Sequence, residues 1–211
     1  MADINFAFMD GDVSQCEELR RKGEVLEFSH NDIREALLSG NLELVLWLIT
    51  WYKEQWEHYC RNYYPLPNAI MGGNTKIADT VWEMSLLQPE EEKFSCDISL
   101  LGTRTPTEYA LQSNNPEMLL WVEKHYPEAS FQEKDLLNSM HQNHEDAISW
   151  VLENREVECS EELFLSAIEC LCEKVAAHVV QRKDYKVKRE HLEFARENGM
   201  KVLGQEISLL L

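Results

Sequence analysis

The chain lacks long hydrophobic runs, a secretory signal and a surplus of basic residues. No apolar stretch reaches the roughly 20 residues that cross a bilayer, and the best candidate, from Leu42 to Trp51, is short and interrupted by Glu43. A membrane-spanning protein is therefore not expected. The amino terminus, Met1-Ala2-Asp3, has no basic region, so no secretory signal is predicted.

Basic residues are scarce, with 20 Lys and Arg against 38 Asp and Glu and a net charge of −18. This balance argues against binding nucleic acid through its phosphates and against docking on anionic lipid. Two interpretations of the acid remain open: a solvated surface that keeps the protein soluble, or steering of a basic partner. One small basic segment follows Val180 and contains Arg182, Lys183, Lys186, Lys188 and Arg189.

Common catalytic motifs are also missing. The chain contains no G-x-S-x-G elbow, P-loop, dinucleotide-binding glycine pattern or H-E-x-x-H sequence. His141 and His144 have no third metal ligand nearby, and Cys170 and Cys172 are separated by one residue, whereas zinc pairs prefer two or more. We therefore predict no enzyme, no catalytic residue, no metal site and no cofactor.

What the sequence does contain is a helix-turn-helix pattern, clearest from Asn31 to Trp51. Gly40-Asn41 interrupts the pattern, because both residues tolerate a left-handed backbone. Apolar residues follow a 3.6-residue period on both sides of this turn. They are Ile33, Ala36, Leu37, Leu42, Val45, Leu46 and Ile49. Two such helices cannot bury this much apolar surface alone, so the unit needs neighbours.

The unit repeats. A small residue, usually followed four positions later by Gly or Asn, recurs along the chain. The small residues are Ala7, Ala36, Ala69, Ala110, Ser139, Ala167 and Ala195. The residues four positions later are Gly11, Gly40, Gly73, Asn114, Asn143, Leu171 and Gly199. Only Leu171 does not suit a tight turn. Eleven residues after the small residue, Trp47, Trp121 and Trp150 share a position.

This register resembles the ankyrin repeat, whose unit reads roughly T-P-L-H-x-A-x-x-x-G followed by a second, Leu-rich helix. The resemblance extends from about Ile4 to about Leu203. The best matches to the first helix are Tyr64-Pro65-Leu66 before Ala69 and Thr105-Pro106 before Ala110. The second helix is matched best by Asn41-Leu42-Glu43-Leu44-Val45 and Pro116-Glu117-Met118-Leu119-Leu120.

The resemblance implies an all-α solenoid of about six to seven stacked helix-turn-helix repeats forming a single domain over residues 1–211. An insertion is predicted near residues 85–104, where the repeat spacing is longest. The apolar tail 204–211 is predicted either to cap the last repeat or to bind a partner. The repeats look most like those of large DNA viruses and intracellular pathogens, which implies capture of a host protein.

The function expected from this fold is a non-enzymatic protein–protein interaction scaffold. The alternative is an acidic electrostatic decoy that inhibits a basic or nucleic-acid-binding protein. The expected partner is another protein with a basic surface, without direct contact to nucleic acid or membrane. With six Cys and no signal peptide, we expect reduced thiols and a location in the cytoplasm or nucleus, of a host cell if the chain comes from a pathogen.

Aromatic residues crowd the segment that follows the clearest repeat. They are interpreted either as filling of an irregular core or as exposed anchors, because Trp and Tyr dominate binding hot spots. The predicted insertion adds an acidic run on a loop. The candidate partner-binding residues are Trp51, Tyr52, Trp56, Tyr59, Tyr63, Glu90, Glu91 and Glu92.

Overall fold

Short apolar stretches separated by turn residues fold as helices throughout the described part of the chain. The computed structural model describes residues 12–23, 28–87, 104–140, 142, 144–182 and 185–211. Within these ranges it contains fourteen α-helices and no strand, which confirms the all-α prediction. The chain divides into two compact units, Met1–Arg104 and Thr105–Leu211. The single domain over residues 1–211 stays a prediction.

The first unit contains six of the described helices. They are α1 (Val13–Arg21), α2 (His30–Leu38), α3 (Leu42–Trp51), α4 (Lys53–Tyr63), α5 (Pro65–Met71) and α6 (Thr75–Leu87). Ser29 caps α2 in a reciprocal capping box with Asp32, and the Asn41 side chain accepts a hydrogen bond from the Leu44 N–H at the start of α3. These caps satisfy backbone donors that have no partner inside the helix.

The second unit contains the other eight described helices. They are α7 (Pro106–Gln112), α8 (Pro116–His125), α9 (Glu133–Met140), α10 (Glu145–Asn154), α11 (Glu161–Glu169), α12 (Glu173–Gln181), α13 (Arg189–Glu197) and α14 (Lys201–Leu210). Pro106 and Pro116 each stand at the first position of a helix. There the missing N–H of proline costs nothing.

The helices form pairs, and each kind of helix contacts its own kind in the neighbouring pair. First helices pack together, as α2 does with α5 and as α9 does with α7 and α11. Second helices pack together along α1, α3 and α6 in the first unit and along α8, α10, α12 and α14 in the second. Six complete pairs lie in the described ranges, while the predicted first helix around Ala7 lies outside them.

The repeated small residues are all buried where the structure describes them. Ala36, Ala69, Ala110, Ala167 and Ala195 have no exposed surface, and Ser139 is 1% exposed. A larger or charged side chain at these positions would separate the two helices of the pair.

The repeated turn residues take the left-handed backbone conformation. The φ angles are 66° at Gly40, 74° at Gly73, 49° at Asn114, 58° at Leu171 and 79° at Gly199. Asn143 and Gly11 lie outside the described residues. Leu171, which does not suit a tight turn by residue type, therefore keeps the backbone of the repeat.

Two neighbouring turns touch backbone to backbone. A Cβ on Gly40 would lie 2.4 Å from the Gly72 carbonyl oxygen, and one on Gly72 would lie 2.1 Å from the Leu37 carbonyl oxygen. Only glycine fits at such distances. The Asn74 side-chain amide also donates a hydrogen bond to the Gly40 carbonyl oxygen at 2.8 Å. The turns themselves therefore set the spacing between these two pairs.

In the second unit, second helices are joined by hydrogen bonds between their N-terminal ends. The Glu145 carboxylate, at the first residue of α10, accepts from the Lys174 backbone N–H at 2.7 Å. The Glu173 carboxylate, at the first residue of α12, accepts from the Leu203 backbone N–H at 3.0 Å. Each acid thus satisfies a donor of the next helix.

First helices in the second unit are joined in the same way. The Glu133 carboxylate accepts from the Ser160 backbone N–H at 2.5 Å. The Glu161 carboxylate contacts Lys188 Nζ at 2.6 Å and His191 Nε2 at 2.9 Å. Lys188 first, and then His191, lower the pKa of Glu161. In α9 and α11, as in α10 and α12, a carboxylate at the first residue of the helix thereby binds the following pair.

Two predictions about irregular segments stay predictions. Residues 85–87 complete α6, and most of the predicted insertion, residues 88–103, lies outside the described residues. Residues 204–210 of the predicted capping tail continue α14. Leu203 and Ile207 are buried one helical turn apart, whereas Leu209 is 87% exposed.

Candidate functional site

An additional helix, α4, interrupts the alternation of first and second helices in the first unit. It begins directly after Tyr52, which ends α3, and it contacts both α2 and α3. It ends at Tyr64, whose left-handed φ of 47° turns the chain into Pro65 and α5. This helix and its surroundings contain most of the aromatic residues singled out in the sequence.

Two of the predicted exposed anchors are buried, because α4 turns them inward. Trp56 is 1% exposed and Tyr59 is 2% exposed. With Cys60 they form the buried face of α4, spaced three and four residues apart as one helix face requires. The Tyr59 hydroxyl accepts a hydrogen bond from the Asn68 side-chain amide at 3.1 Å, and burial raises its pKa to about 12. Trp56 is therefore a core residue, whereas Tyr59, although buried, also lines a surface cleft described below.

Trp51 is exposed, and its ring packs against a network of charged and aromatic groups. It is 51% exposed, and the Arg20 guanidinium lies 3.8 Å from its ring centroid. Arg20 donates two hydrogen bonds to Glu17, at 2.7 and 2.9 Å, and Trp47 Nε1 donates to the same carboxylate at 3.0 Å. Arg20 first, and then Trp47, lower the pKa of Glu17 to about 2.

Tyr52 is half-buried and packs against two other aromatic residues. Its ring lies 4.5 Å from that of Phe28 and 5.1 Å from that of Trp47. Burial raises the pKa of its hydroxyl. The Tyr52 side chain therefore packs mainly against its aromatic neighbours and presents little accessible surface to a partner.

Tyr63 opens onto a surface cleft between α2 and α4. Its ring is 43% exposed, stacks on His30 at 4.8 Å and lies 5.4 Å from Tyr59. The cleft has a volume of about 490 Å³. Its lining residues, which we call the aromatic cleft, are Phe28, His30, Ile33, Glu54, Gln55, His58, Tyr59 and Tyr63.

The chemistry of the aromatic cleft suits binding. Its walls are aromatic and apolar, and polar groups of Glu54, Gln55 and His58 are contributed by α4. Among its described lining residues Glu54 is the one acid, and none is a lysine or arginine. Such a site accepts an apolar or aromatic side chain together with a cationic group.

Sequence reasoning found Tyr59 and Tyr63 but missed the other residues of the aromatic cleft. Glu54 and His58 are spaced four residues apart on α4, so they share a face, and the helical period alone could have grouped them. Phe28 and His30 come from a separate segment, and no local pattern places them beside α4. The predicted acidic residues Glu90, Glu91 and Glu92 lie outside the described residues.

The described part of the chain offers little support for a metal site, a nucleophilic cysteine or a membrane-spanning helix. There, no group of three or more His, Cys, Asp and Glu side chains is placed to hold a metal ion. Burial raises the pKa of the Cys16 and Cys172 thiols to about 11 each, which makes both poor nucleophiles. None of the described helices is long and apolar enough to span a membrane.

No protein-family model and no curated protein matches this chain. The ankyrin resemblance therefore depends on the residues quoted for it and on the arrangement of the helices.

Proposed function

We propose that the chain is a non-enzymatic interaction scaffold built from ankyrin-like helix pairs, and that it binds a partner protein through the aromatic cleft. The observation that carries this proposal is an open cleft with aromatic walls beside α4, the helix that departs from the repeated pair. Loops and added elements on a repeated framework often carry function, because the framework holds them in place.

The ankyrin-like assignment is supported by three features that share one register. Where the structure describes them, the small residue of the pair is buried, the turn residue four positions later is left-handed, and like helices contact like helices in neighbouring pairs. Stacks of this kind are rigid and present preformed surfaces, which lowers the ordering cost of binding. If the chain comes from a pathogen, as the resemblance implies, the partner is a host protein.

The chemistry of the aromatic cleft indicates what part of the partner it accepts. An Arg or Lys side chain can stack on the exposed face of Tyr63 or His30 while its charge approaches the Glu54 carboxylate. The net charge of −18 favours the approach of a basic surface. The partner we propose therefore offers a basic side chain flanked by apolar ones.

The electrostatic decoy stays the alternative. Several acids that such a decoy would display have a structural role instead, because Glu145, Glu161 and Glu173 hold neighbouring helix pairs together. This favours the scaffold.

The proposal is tested by affinity capture from cell extract, with bound proteins identified by mass spectrometry. The baits are the wild-type chain and the double variant Glu54→Lys with Tyr63→Ala. Leu120→Ala serves as the control, because Leu120 is 50% exposed on α8 in the second unit. Thermal melting followed by circular dichroism checks that all three baits are folded.

We expect a protein that the wild type and the control retain at about 0.5 M salt, where exposed ion pairs are largely screened. The double variant should lose it. Retention by the double variant would refute a role for the aromatic cleft. A set of basic proteins that all baits release at high salt would establish the decoy.

A further inference from the structure

The last helix pair departs from the charge pattern of the two pairs directly before it. The first residue of a first helix is Glu133 in α9 and Glu161 in α11, but Arg189 in α13. The first residue of a second helix is Glu145 in α10 and Glu173 in α12, but Lys201 in α14. Each of the four acids binds a donor of the following pair.

A cation at these positions cannot accept a hydrogen bond from a following pair. Lys201 or Arg189 would instead meet the positive end of the next helix, which is unfavourable. The surface of α13 and α14 that a following helix pair would cover is therefore unsuited to another pair of the same kind and suited to a different ligand. A group that binds there would bring acceptors rather than donors.

A second cleft lies on this last pair. Its volume is about 580 Å³, and its lining residues, which we call the basic cleft, are Arg196, Lys201, Gly204, Gln205, Ser208 and Leu209. None of these described lining residues is acidic. Within the described part of the chain, neither Arg196 nor Lys201 forms an ion pair, although several other cations of this acidic protein do.

The basic cleft combines donors with apolar surface. Arg196 reaches the Ser208 hydroxyl at 3.5 Å, so the guanidinium lies directly beside the hydroxyl and leaves further N–H groups available. Gly204 also lines the cleft, and a Cβ there would lie 3.6 Å from Arg196 Cγ. On the same helix Leu209 is 87% exposed, Val202 is 59% exposed and Leu210 is 54% exposed.

We propose that the basic cleft binds an acidic segment of a partner protein in which carboxylates alternate with apolar side chains. The argument is charge complementarity. Two cations without a carboxylate partner line one cleft in a chain of net charge −18, so an anionic group gains two charge-assisted contacts there. Apolar side chains of the segment cover Leu209 and Val202.

The size and charge of the basic cleft favour a peptide segment over simpler ligands. A volume of about 580 Å³ exceeds what an inorganic anion fills. Two cations are too few for stable binding of nucleic acid by an acidic protein, since non-specific binding needs several phosphate contacts. This proposal concerns the second unit and is independent of the proposed role of the aromatic cleft.

Fluorescence anisotropy tests the proposal with a labelled peptide of alternating Glu and Leu, about ten residues long. A peptide with Gln in place of each Glu is the matched probe. The full chain is compared with the double variant Arg196→Gln with Lys201→Gln. The control is Lys76→Gln with Lys124→Gln, which removes the same charge at two exposed positions outside the basic cleft.

We expect saturable binding of the Glu peptide, at least about tenfold weaker binding of the Gln peptide, and a similar loss in the Arg196 and Lys201 variant. The control variant should bind like the wild type. Because the chain as a whole repels the Glu peptide, binding requires a local site.

Three outcomes would overturn the proposal. One is no binding of the Glu peptide, and another is equal binding of the two peptides. A third comes from sedimentation equilibrium without peptide: self-association that disappears in the Arg196 and Lys201 variant would make a second copy of the chain the occupant. Thermal melting confirms that the variants are folded.

Discussion

At the scale of single residues, Glu17 shows how the fold determines the charge state of a side chain. Its carboxylate binds Arg20 twice and Trp47 once, and these contacts lower its pKa to about 2. Asp135 behaves in the opposite way. It is 1% exposed, and burial raises its pKa despite hydrogen bonds from Thr107 and the Gln132 backbone. Ionisation of Glu17 therefore stabilises the folded state, whereas ionisation of Asp135 destabilises it.

Glu17→Gln should reduce stability at neutral pH and have little effect in strong acid. A carboxylate with a lowered pKa stabilises the folded state above its ordinary pKa of 4.5, and that stabilisation is lost as the pH falls toward 2. Urea unfolding from pH 7 to pH 2 should show the wild-type and variant curves converging. Glu18→Gln on the exposed side of α1 is the comparison, with a smaller effect at neutral pH. A difference that stays constant with pH would refute the assigned role of the charge.

At the scale of elements, α4 demonstrates why an aromatic-rich segment is difficult to interpret from sequence. The helical period groups Trp56, Tyr59 and Cys60 on one face, but it does not say whether that face meets solvent or core. The answer depends on α2 and α3, which pack against it. The same limit applies to the aromatic cleft, whose walls come from two distant segments.

Trp56→Ala should therefore destabilise the first unit by about 3–5 kcal/mol, because a fully buried indole leaves a cavity. Trp51→Ala should cost less than about 1 kcal/mol, since it removes an exposed ring and one cation–π contact. Urea unfolding followed by circular dichroism measures both. Similar losses for the two variants would mean that α4 does not bury Trp56.

The turn between α11 and α12 carries a cost that the turns at Gly40, Gly73 and Gly199 avoid. Leu171 has a φ of 58° and a side chain that is 65% exposed. Leu171→Gly should raise the free energy of unfolding by about 1 kcal/mol, because the left-handed conformation is unfavourable for residues with a Cβ. Leu171→Ala keeps the Cβ and should change stability little. Equal effects of the two variants in urea unfolding would argue against backbone strain.

At the scale of the whole chain, the acid excess has two components. Some carboxylates, such as Glu145 and Glu173, cap helices of the neighbouring pair. Others are exposed, and the net charge of −18 counts both kinds. Composition alone cannot separate the two, because the distinction depends on which helix follows which in space.

The repeated pairs could be predicted from sequence because their determinants are local. A buried small residue such as Ala36 and a left-handed turn such as Gly40 are required by steric limits within one pair. The inward face of α4 and the cations of the basic cleft depend on contacts between elements. Arg189 and Lys201 become informative only once the start of each helix is known.

The contact between the Gly40 and Gly72 turns has a consequence for how this architecture could change over time. The backbone contact between these two turns fixes the distance between them. The segment that joins them can therefore become longer as long as this contact is kept. Helix α4 occupies that interval. A whole helix, and with it one wall of a cleft, can thus be gained or lost by insertion or deletion while the register of the neighbouring pairs is preserved. New surfaces can arise in this way without a redesign of the framework.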